Sequence, residues 1–416
     1  GFLPEHPGGS GVIVKQAGKD ATKLFDTIHP KGTIENSLSP EHCKGDFDSS
    51  TLPVEYKKAE EEEERKRKER LAMLPPMSKC LNLGDLELVA SKVLSPEAWA
   101  YYSSAADDLE TYHENRAVFR RIWLRPRILR NVRYVDPSTK ILGIPSALPF
   151  YITATALGRM GHPDGELNLT RAAAKTGLIQ MIPTLSSVSF DEIIDARNQE
   201  GGPAQFFQLY VSTDRNVVAN MLRRAEETNV KAIFVTVDAP QLGRREQDMR
   251  MHFVDEGSNV QGGHVEKRDE GAARAITSFI DPSFDWDDVL WMKRQTRLPI
   301  LLKGVQTWED AVQAYEMGLA GVVLSNHGGR QLDRAPVSLQ ALPAVREEAG
   351  ADVPIVLDSG ILTGEDIVAA LALGADFTLI GRAYLYGLMA GGQEGVRRVI
   401  ELLAKEVEVA MSLMEI

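Results

Sequence analysis

Residues Ser325, Asn326, His327, Gly328, Gly329, Arg330, Gln331, Leu332 and Asp333 follow directly on an apolar run, Gly321-Val322-Val323-Leu324, that reads as a buried strand. A strand end therefore carries a histidine, two glycines and an arginine. Paired glycines let the backbone approach a flat ligand, His327 can take a proton near neutral pH, and Arg330 can hold a carboxylate in a two-pronged hydrogen bond. That set outlines the oxidation of an acid. Each residue alone also has a structural reading, because a single histidine after a strand is more often packed than catalytic, so the surroundings must decide.

The elements that would position these residues recur along the chain. Eight short runs rich in β-branched residues, at 150–155, 179–184, 205–211, 232–239, 299–305, 321–326, 354–360 and 377–382, are each followed by a helix-length amphipathic segment. Eight buried strands alternating with helices predict an α/β fold, a closed (β/α)8 TIM barrel with its active site at the C-terminal ends of the strands. A doubly wound open sheet is the competing fold, but no Gly-x-Gly-x-x-Gly follows any of these runs. The barrel makes its own test, since residues able to do chemistry should fall at strand ends. Gln208 and Tyr210 end the third run, Thr236 and Asp238 the fourth, and Lys303 the fifth. Ser325 and His327 end the sixth, Asp358 the seventh, and Gly381 with Arg382 the eighth.

The whole chain narrows the class further. Its 416 residues suffice for one large domain and a smaller one, and 43% apolar content is ordinary for a globular protein. A net charge of −12 and a pI near 5.3 argue against nucleic-acid or anionic-membrane partners, whereas a small anionic substrate needs only local arginines. Two cysteines, Cys43 and Cys80, leave no disulfide framework or Cys-rich metal site and suit a reducing or thiol-tolerant compartment. No run approaches the roughly 20 apolar residues that cross a bilayer. The expectation is a soluble protein of the cytoplasm or mitochondrial intermembrane space, with any targeting segment upstream of Gly1. The start at Gly1-Phe2-Leu3-Pro4 and the unterminated helical pattern at 402–416 read as a processed or truncated product. Glutamates 60–64 followed by Arg65-Lys66-Arg67-Lys68, with Glu61/Arg65 and Glu64/Lys68 spaced to pair, predict a solvated helical linker closed by Pro75-Pro76. Residues 250–284, with Gly257, Gly262, Gly263 and Gly271, read as a loop over the site.

Five separated motifs, in order, carry a resemblance. They are Tyr101-Tyr102-Ser103-Ser104-Ala105-Ala106-Asp107-Asp108, Gln208-Leu209-Tyr210-Val211, Val237-Asp238-Ala239-Pro240 with Arg245, Lys303-Gly304-Val305-Gln306, and the His327 motif. Over residues 83–416 the chain resembles the FMN-dependent α-hydroxy acid dehydrogenase/oxidase family. The resemblance implies oxidation of an L-2-hydroxy acid, with His327 taking a proton from Cα or from the hydroxyl and Asp238 orienting it. It implies that Arg330, helped by Tyr101 and Arg245, holds the substrate carboxylate and that Tyr210 bonds the substrate hydroxyl. Gln208, Thr236, Ser325 and the backbone of Ala154, Thr155 and Ala156 would meet the flavin ring, and Lys303 would lie at its N1 edge. The phosphate would rest on Asp358, Ser359, Gly360, Gly381 and Arg382. Ala156 and Leu185 match positions lining the side-chain pocket, where Leu185 leaves room for a methyl or somewhat more, so lactate is the first expectation with larger acids open.

Two departures accompany the resemblance. Leu362 stands where the family usually has an arginine on the phosphate, predicting weaker FMN retention, and Pro183 stands where a flavin-contacting serine is usual, leaving a backbone contact. Ahead of the barrel, Glu5-His6-Pro7-Gly8-Gly9 resembles the haem-ligand turn of a cytochrome b5 module, and His29-Pro30 follows 23 residues later at the spacing of the second axial ligand. The resemblance implies His6 and His29 as haem b ligands, cytochrome c as electron acceptor and a homotetramer. The reading is thus a partial cytochrome b5-like module over 1–50, a charged linker over 51–82 and the barrel over 83–416. About 50 residues are few for a haem crevice, so weak haem binding or none is expected here and full binding in a longer parent. The rival readings are an oxidase passing electrons to O₂, a monooxygenase, and a flavin-binding barrel without activity.

Overall fold

The computed structural model describes residues 74–251 and 279–416 continuously, with residues 21, 22, 25, 33, 34, 38–42, 45, 61, 62, 65, 66 and 68–72 before them. Within the continuous stretch from residue 74, three α-helices come first, α1 (Leu83–Val93), α2 (Pro96–Ser103) and α3 (Glu110–Ala117), then an antiparallel hairpin of β1 (Thr139–Ile141) and β2 (Ile144–Ser146). Eight parallel strands follow: β3 (Phe150–Ile152), β4 (Met181–Ile182), β5 (Gln205–Leu209), β6 (Val230–Thr236), β7 (Ile300–Val305), β8 (Val322–Leu324), β9 (Ile355–Leu357) and β10 (Phe377–Ile380). Between them lie α4 (Glu166–Thr176), α5 (Phe190–Glu200), α6 (Arg215–Glu227), α7 (Glu246–Met251), α8 (Trp286–Gln295), α9 (Trp308–Glu316), α10 (Ser338–Ala349) and α11 (Gly364–Ala372). The span α12 (Arg382–Met414) is broken by non-helical backbone at Gly391 and Gly392.

The strands pair in the order β3-β10-β9-β8-β7-β6-β5-β4. A parallel bridge between Ile152 and Gln180 joins the two ends of that order and closes the ring. This is the predicted (β/α)8 barrel. Its strands are apolar at consecutive positions because both faces are covered. Leu301, Val323 and Val356 turn into the barrel with Tyr151, Phe206 and Phe234. Their neighbours Ile300, Leu302, Val322 and Leu324 pack under the helices. Each such side chain contributes roughly 1.5–3 kcal/mol by leaving water. Gln205 Nε2 donates to Gln180 Oε1 at 2.7 Å, so these interior polar groups pair with each other. The hairpin, which the sequence reading did not include, covers the barrel floor, with Ile141 fully buried and Leu142 and Ile144 packed against the interior cluster. That leaves the opposite mouth, where the strands end, as the open one.

Several barrel helices begin at capping boxes, Ser189 with Glu192, Asp285 with Asp288 and Thr363 with Asp366, each cap worth typically about 1 kcal/mol. These fix where the preceding strand-end loops stop. The described residues between 61 and 72 are helical, as predicted, but Arg65 pairs with Glu62 and Glu69 instead of Glu61. Both partners sit one helical turn away, so either spacing satisfies the guanidinium. Glu64, the other predicted partner, and residues 252–278 of the predicted loop lie outside the described residues, as do His6 and His29. Among the described residues, no helix is long and apolar enough to cross a membrane.

Candidate active site

The His327 motif is explained almost residue by residue. Ser325 is fully buried, with its Oγ accepting from the His327 N–H at 3.0 Å and from Lys303 Nζ at 3.3 Å. Asn326 exchanges side-chain amide bonds with Asn115 of α3, at 2.9 and 2.7 Å. Gln331 Nε2 donates to the carbonyls of Asp238 and Gln241 at 2.8 and 3.1 Å. Asp333 accepts the N–H groups of Asp108, Glu110 and Thr111, which fixes the start of α3. Thus the motif ties the end of β8 to the loop after β6 and to a helix that precedes the barrel.

His327 itself adopts the left-handed backbone region, φ 59°, and its Nδ1 lies 2.9 Å from Asp238 Oδ1. The carboxylate can only accept, so Nδ1 carries the hydrogen and Nε2 keeps its lone pair free as a base. Burial pushes the His327 pKa below its ordinary value; Asp238 works against that and Lys303 with it. The imidazole is therefore neutral at neutral pH. Burial works to raise the Asp238 carboxyl, but His327 and Lys303 outweigh it and hold it below the usual range. The pair is thus poised as neutral base and anion. Asp238 reaches this place only because residue 304 has no side chain. A Cβ on Gly304, at φ +111°, would stand 2.5 Å from Asp238 Cγ.

Cations crowd the same mouth. Arg330 gives both Nη1 hydrogens to the carbonyls of Tyr102 and Ser104, at 3.1 and 2.9 Å, and one Nη2 hydrogen to the Tyr101 carbonyl at 2.9 Å. Among the described residues its Nε–H and second Nη2–H remain without an acceptor, the two donors of one guanidinium edge, which match a carboxylate. Burial, then Arg245 and Arg382, push the Arg330 pKa well down, while Tyr101 and the buried Asp248 carboxylate work against that. The Arg245 side chain is buried beside it, its Nε 3.4 Å from the Arg330 carbonyl. Lys303 pairs with Asp358 at 3.3 Å, both side chains nearly buried, and the two aspartates outweigh the burial that would lower its pKa. Tyr101 packs its ring 5.4 Å from the Arg330 guanidinium. The Tyr210 phenol is pushed up to about 12 by burial and then by Asp238, so it remains a hydrogen-bond donor at neutral pH.

These groups surround one cavity. Ala154, Thr155, Ala156, Leu185, Gln208 and Thr236 line its wall, and Ser359, Gly360, Gly381 and Arg382 line it together with Asp358 and Lys303. The expected substrate residues Tyr101, Tyr210, Arg245, His327 and Arg330 open onto it as well. Ser325 and Asp238 do not; they stand behind Lys303 and His327. Gln208 Nε2 donates to Thr236 Oγ1 at 2.9 Å and its Oε1 accepts from the Thr184 N–H, aligning the ends of β4, β5 and β6. Sequence reasoning missed Thr153, Tyr112 and Arg116 on this wall. Thr153 ends a short strand and its polarity there was the available signal; Arg116 lies on α3, outside the strand-end rule.

The residues fit a flat, phosphorylated cofactor of FMN's chemistry. Thr153 Oγ1 and Thr155 Oγ1 are buried without a partner among the described residues, the wall is apolar beside them, and a buried ammonium faces the same space. Arg382 opens the long helix α12 directly after Gly381, so backbone N–H groups and a guanidinium meet at an anion-favouring helix start.

Comparison with known proteins agrees. The FMN-dependent dehydrogenase family matches residues 90–415, and the cytochrome b5-like haem/steroid binding domain matches residues 1–48. The chain is 47% identical to an L-lactate dehydrogenase (cytochrome) of Wickerhamomyces anomalus, over 99% of this chain and 72% of that protein. It is 42% identical to the glycolate oxidase of Spinacia oleracea, over 80% of this chain and 91% of that one. Among solved structures, a doubly substituted flavocytochrome b2 with pyruvate bound superposes with a TM-score of 0.78 at 41% identity, covering 85% of this chain and 88% of that one. A mandelate oxidase variant with (S)-mandelic acid gives 0.72 at 36% identity, covering 80% and 94%. With the barrel, the cavity and the full-length relatives in agreement, the chain belongs to the FMN-dependent dehydrogenases, with a cytochrome b5-like module ahead of its barrel.

Proposed function

We propose that this chain oxidises a small L-2-hydroxy acid, L-lactate first, to the 2-oxo acid and passes the electrons to a cytochrome-type acceptor. The observation that carries this is the neutral His327, backed by Asp238, facing the same cavity as the buried Arg245 and the half-buried Arg330, whose remaining guanidinium edge matches a carboxylate. Bound FMN would supply the two-electron acceptor. The chain's own residues supply the rest. The free edge of Arg330, with Arg245 beside it, binds the substrate carboxylate and so fixes which face of Cα is presented. Tyr210 donates to the substrate oxygen. His327 Nε2 receives one substrate proton, and the Asp238 carboxylate stabilises the imidazolium that results. Ala156 and Leu185 bound the side-chain end, where a methyl fits.

Gln208, Thr236 and the backbone at Ala154, Thr155 and Ala156 would hold the flavin ring, with Lys303 placing a positive charge at one edge. Ser325 acts by positioning Lys303 and His327. The turn at Asp358, Ser359 and Gly360, with Gly381 and Arg382, would hold the phosphate. The cytochrome b5-like match, with His6 and His29 as the haem b ligands, supports a cytochrome acceptor over O₂. A homotetramer built on residues 83–416, with 1–50 as the haem module and 51–82 as linker, belongs to the same proposal. The test is an anaerobic visible spectrum of the FMN-loaded chain before and after L-lactate. Bleaching of the flavin band is the expected result, and the His327→Gln variant should keep flavin yet fail to bleach. A bound flavin that stays oxidised with every 2-hydroxy acid tried overturns the reading.

A further inference from the structure

Leu362 removes a charge from the turn that follows β9, and its side chain packs against the barrel's apolar cluster. The remaining cation there is partly committed. Arg382 gives Nε–H to the Tyr102 carbonyl and both Nη2 hydrogens to Ser104 and Gly328, at 3.4, 3.3 and 2.9 Å, so only its Nη1 hydrogens face outward. A phosphate monoester carries about −1.5 to −2 charges near neutral pH, more than that one group matches.

A second guanidinium stands at the same wall. Arg116 of α3 lines the cavity with Ser359, Gly360, Ile361 and Leu362, is half-buried, and makes no hydrogen bond or ion pair among the described residues. The helix that carries it is held firmly. Its Asn115 exchanges amide bonds with Asn326, and a Cβ on Gly360, at φ +92°, would fall 2.0 Å from the Asn115 carbonyl oxygen. The backbone just before Arg116 therefore touches the turn that contains Leu362. Tyr112 lies one turn earlier on the same face of α3, and the Arg382 guanidinium sits 4.9 Å over its ring. Arg116, Tyr112 and Arg382 thus line one wall of the cavity. Asp366 feels the Arg116 charge but accepts the N–H groups of Leu362 and Thr363 at 2.9 Å each and forms no ion pair with Arg116.

We propose that Arg116 is the second phosphate-binding cation of the FMN site, taking from α3 the charge that Leu362 withholds from the strand-end turn; this rests on FMN being the cofactor. The consequence is that FMN retention is not weakened by Leu362 as the sequence alone predicts, because the charge has moved from one element to another.

Flavin affinity of the full 416-residue chain, stripped of flavin and titrated by fluorescence quenching with FMN and with riboflavin, tests this. Arg116→Ala should weaken FMN about tenfold, in line with the loss of one charge-assisted hydrogen bond, and leave riboflavin unchanged. Arg116→Lys should recover part of the loss, and Leu362→Arg added to Arg116→Ala should recover most of it. FMN affinity equal to wild type in Arg116→Ala overturns the proposal, as does an equal loss for FMN and riboflavin, which would mark a structural role. A wild-type chain that binds riboflavin as tightly as FMN also overturns it. If wild type binds neither flavin, it is the cofactor reading that falls.

Discussion

Replacing Asp238 by Asn removes one negative charge and little else. The side chain is 4% exposed and the Asn oxygen can still accept the His327 Nδ1–H, so the ring keeps its orientation. What is lost is stabilisation of the imidazolium formed when His327 takes the substrate proton. With charge centres about 4 Å apart and an effective dielectric near 20, the Coulomb energy is about 4 kcal/mol, and retention of the neutral hydrogen bond reduces the net loss to about 3–4 kcal/mol. That corresponds to a fall in kcat of roughly 10²–10³-fold with KM for L-lactate nearly unchanged. The pH profile gives an independent reading. The active base is neutral His327, present above its folded pKa and lost as pH falls through it, and burial already sets that pKa below 6.5. Removing Asp238 takes away the group that raises it, so the acid limb should move to lower pH while the plateau drops. Steady-state rates with L-lactate and an artificial acceptor from pH 4.5 to 8 (a range of about three to four units around the His midpoint) measure both, with flavin content checked in parallel. A kcat within threefold of wild type, or an acid limb displaced to higher pH, refutes the reasoning.

Three further changes probe the supports. Gly304→Ala puts a methyl against Asp238 and an alanine at φ +111°, and should lower stability by about 1–3 kcal/mol and activity with it, read by thermal melting and turnover. Glu166 is fully buried and accepts from the Gly158 N–H, the Ser187 N–H and the Ser187 hydroxyl at 2.8, 3.0 and 2.7 Å, joining the loops after β3 and β4. Glu166→Ala strands those donors, so a loss of about 3 kcal/mol or more and weaker flavin binding at Ala154–Ala156 are expected; an unchanged melting temperature would contradict the account. Leu185→Ala should shift kcat/KM about tenfold or more from lactate toward acids with a larger side chain, measured on lactate and a phenyl-bearing 2-hydroxy acid.

The barrel was legible because a parallel strand buried on both faces leaves a run of apolar residues, as at Ile300, Leu301 and Leu302, and because its chemistry collects where the strands end. His327, Lys303, Asp238 and Tyr210 follow from that rule alone. The residues it missed break one of its assumptions. Arg116 and Tyr112 come from a helix ahead of the barrel, brought in by the Asn115–Asn326 amide pair, a contact across more than two hundred residues that no local pattern signals. Ser325 sits at a strand end as expected, yet turns inward to Lys303 and the His327 amide, a choice of side that strand alternation cannot decide at a residue where the strand stops. The hairpin of β1 and β2 is three residues a side, too short for a periodic signal.

Backbone strain gathers where the chemistry is. His327 at φ 59°, Ser359 at φ 78° and Leu157 at φ 60° all occupy the left-handed region that side-chain-bearing residues seldom enter, at roughly 1–3 kcal/mol each. Each is held there by its neighbours. The His327 N–H is taken by Ser325, the Ser359 hydroxyl donates to Asp358 and accepts from the Gly328 N–H, and the Leu157 carbonyl accepts the buried Tyr102 hydroxyl. Three of these partners themselves touch an active-site residue: Ser325 holds Lys303, Asp358 pairs with Lys303, and the Tyr102 carbonyl accepts from Arg330. The strained residues and the charged ones therefore share supports. Loss of one support should loosen a cation and a backbone turn together, so a positioning residue such as Ser325 can influence both proton transfer and charge at the flavin edge without touching either ligand.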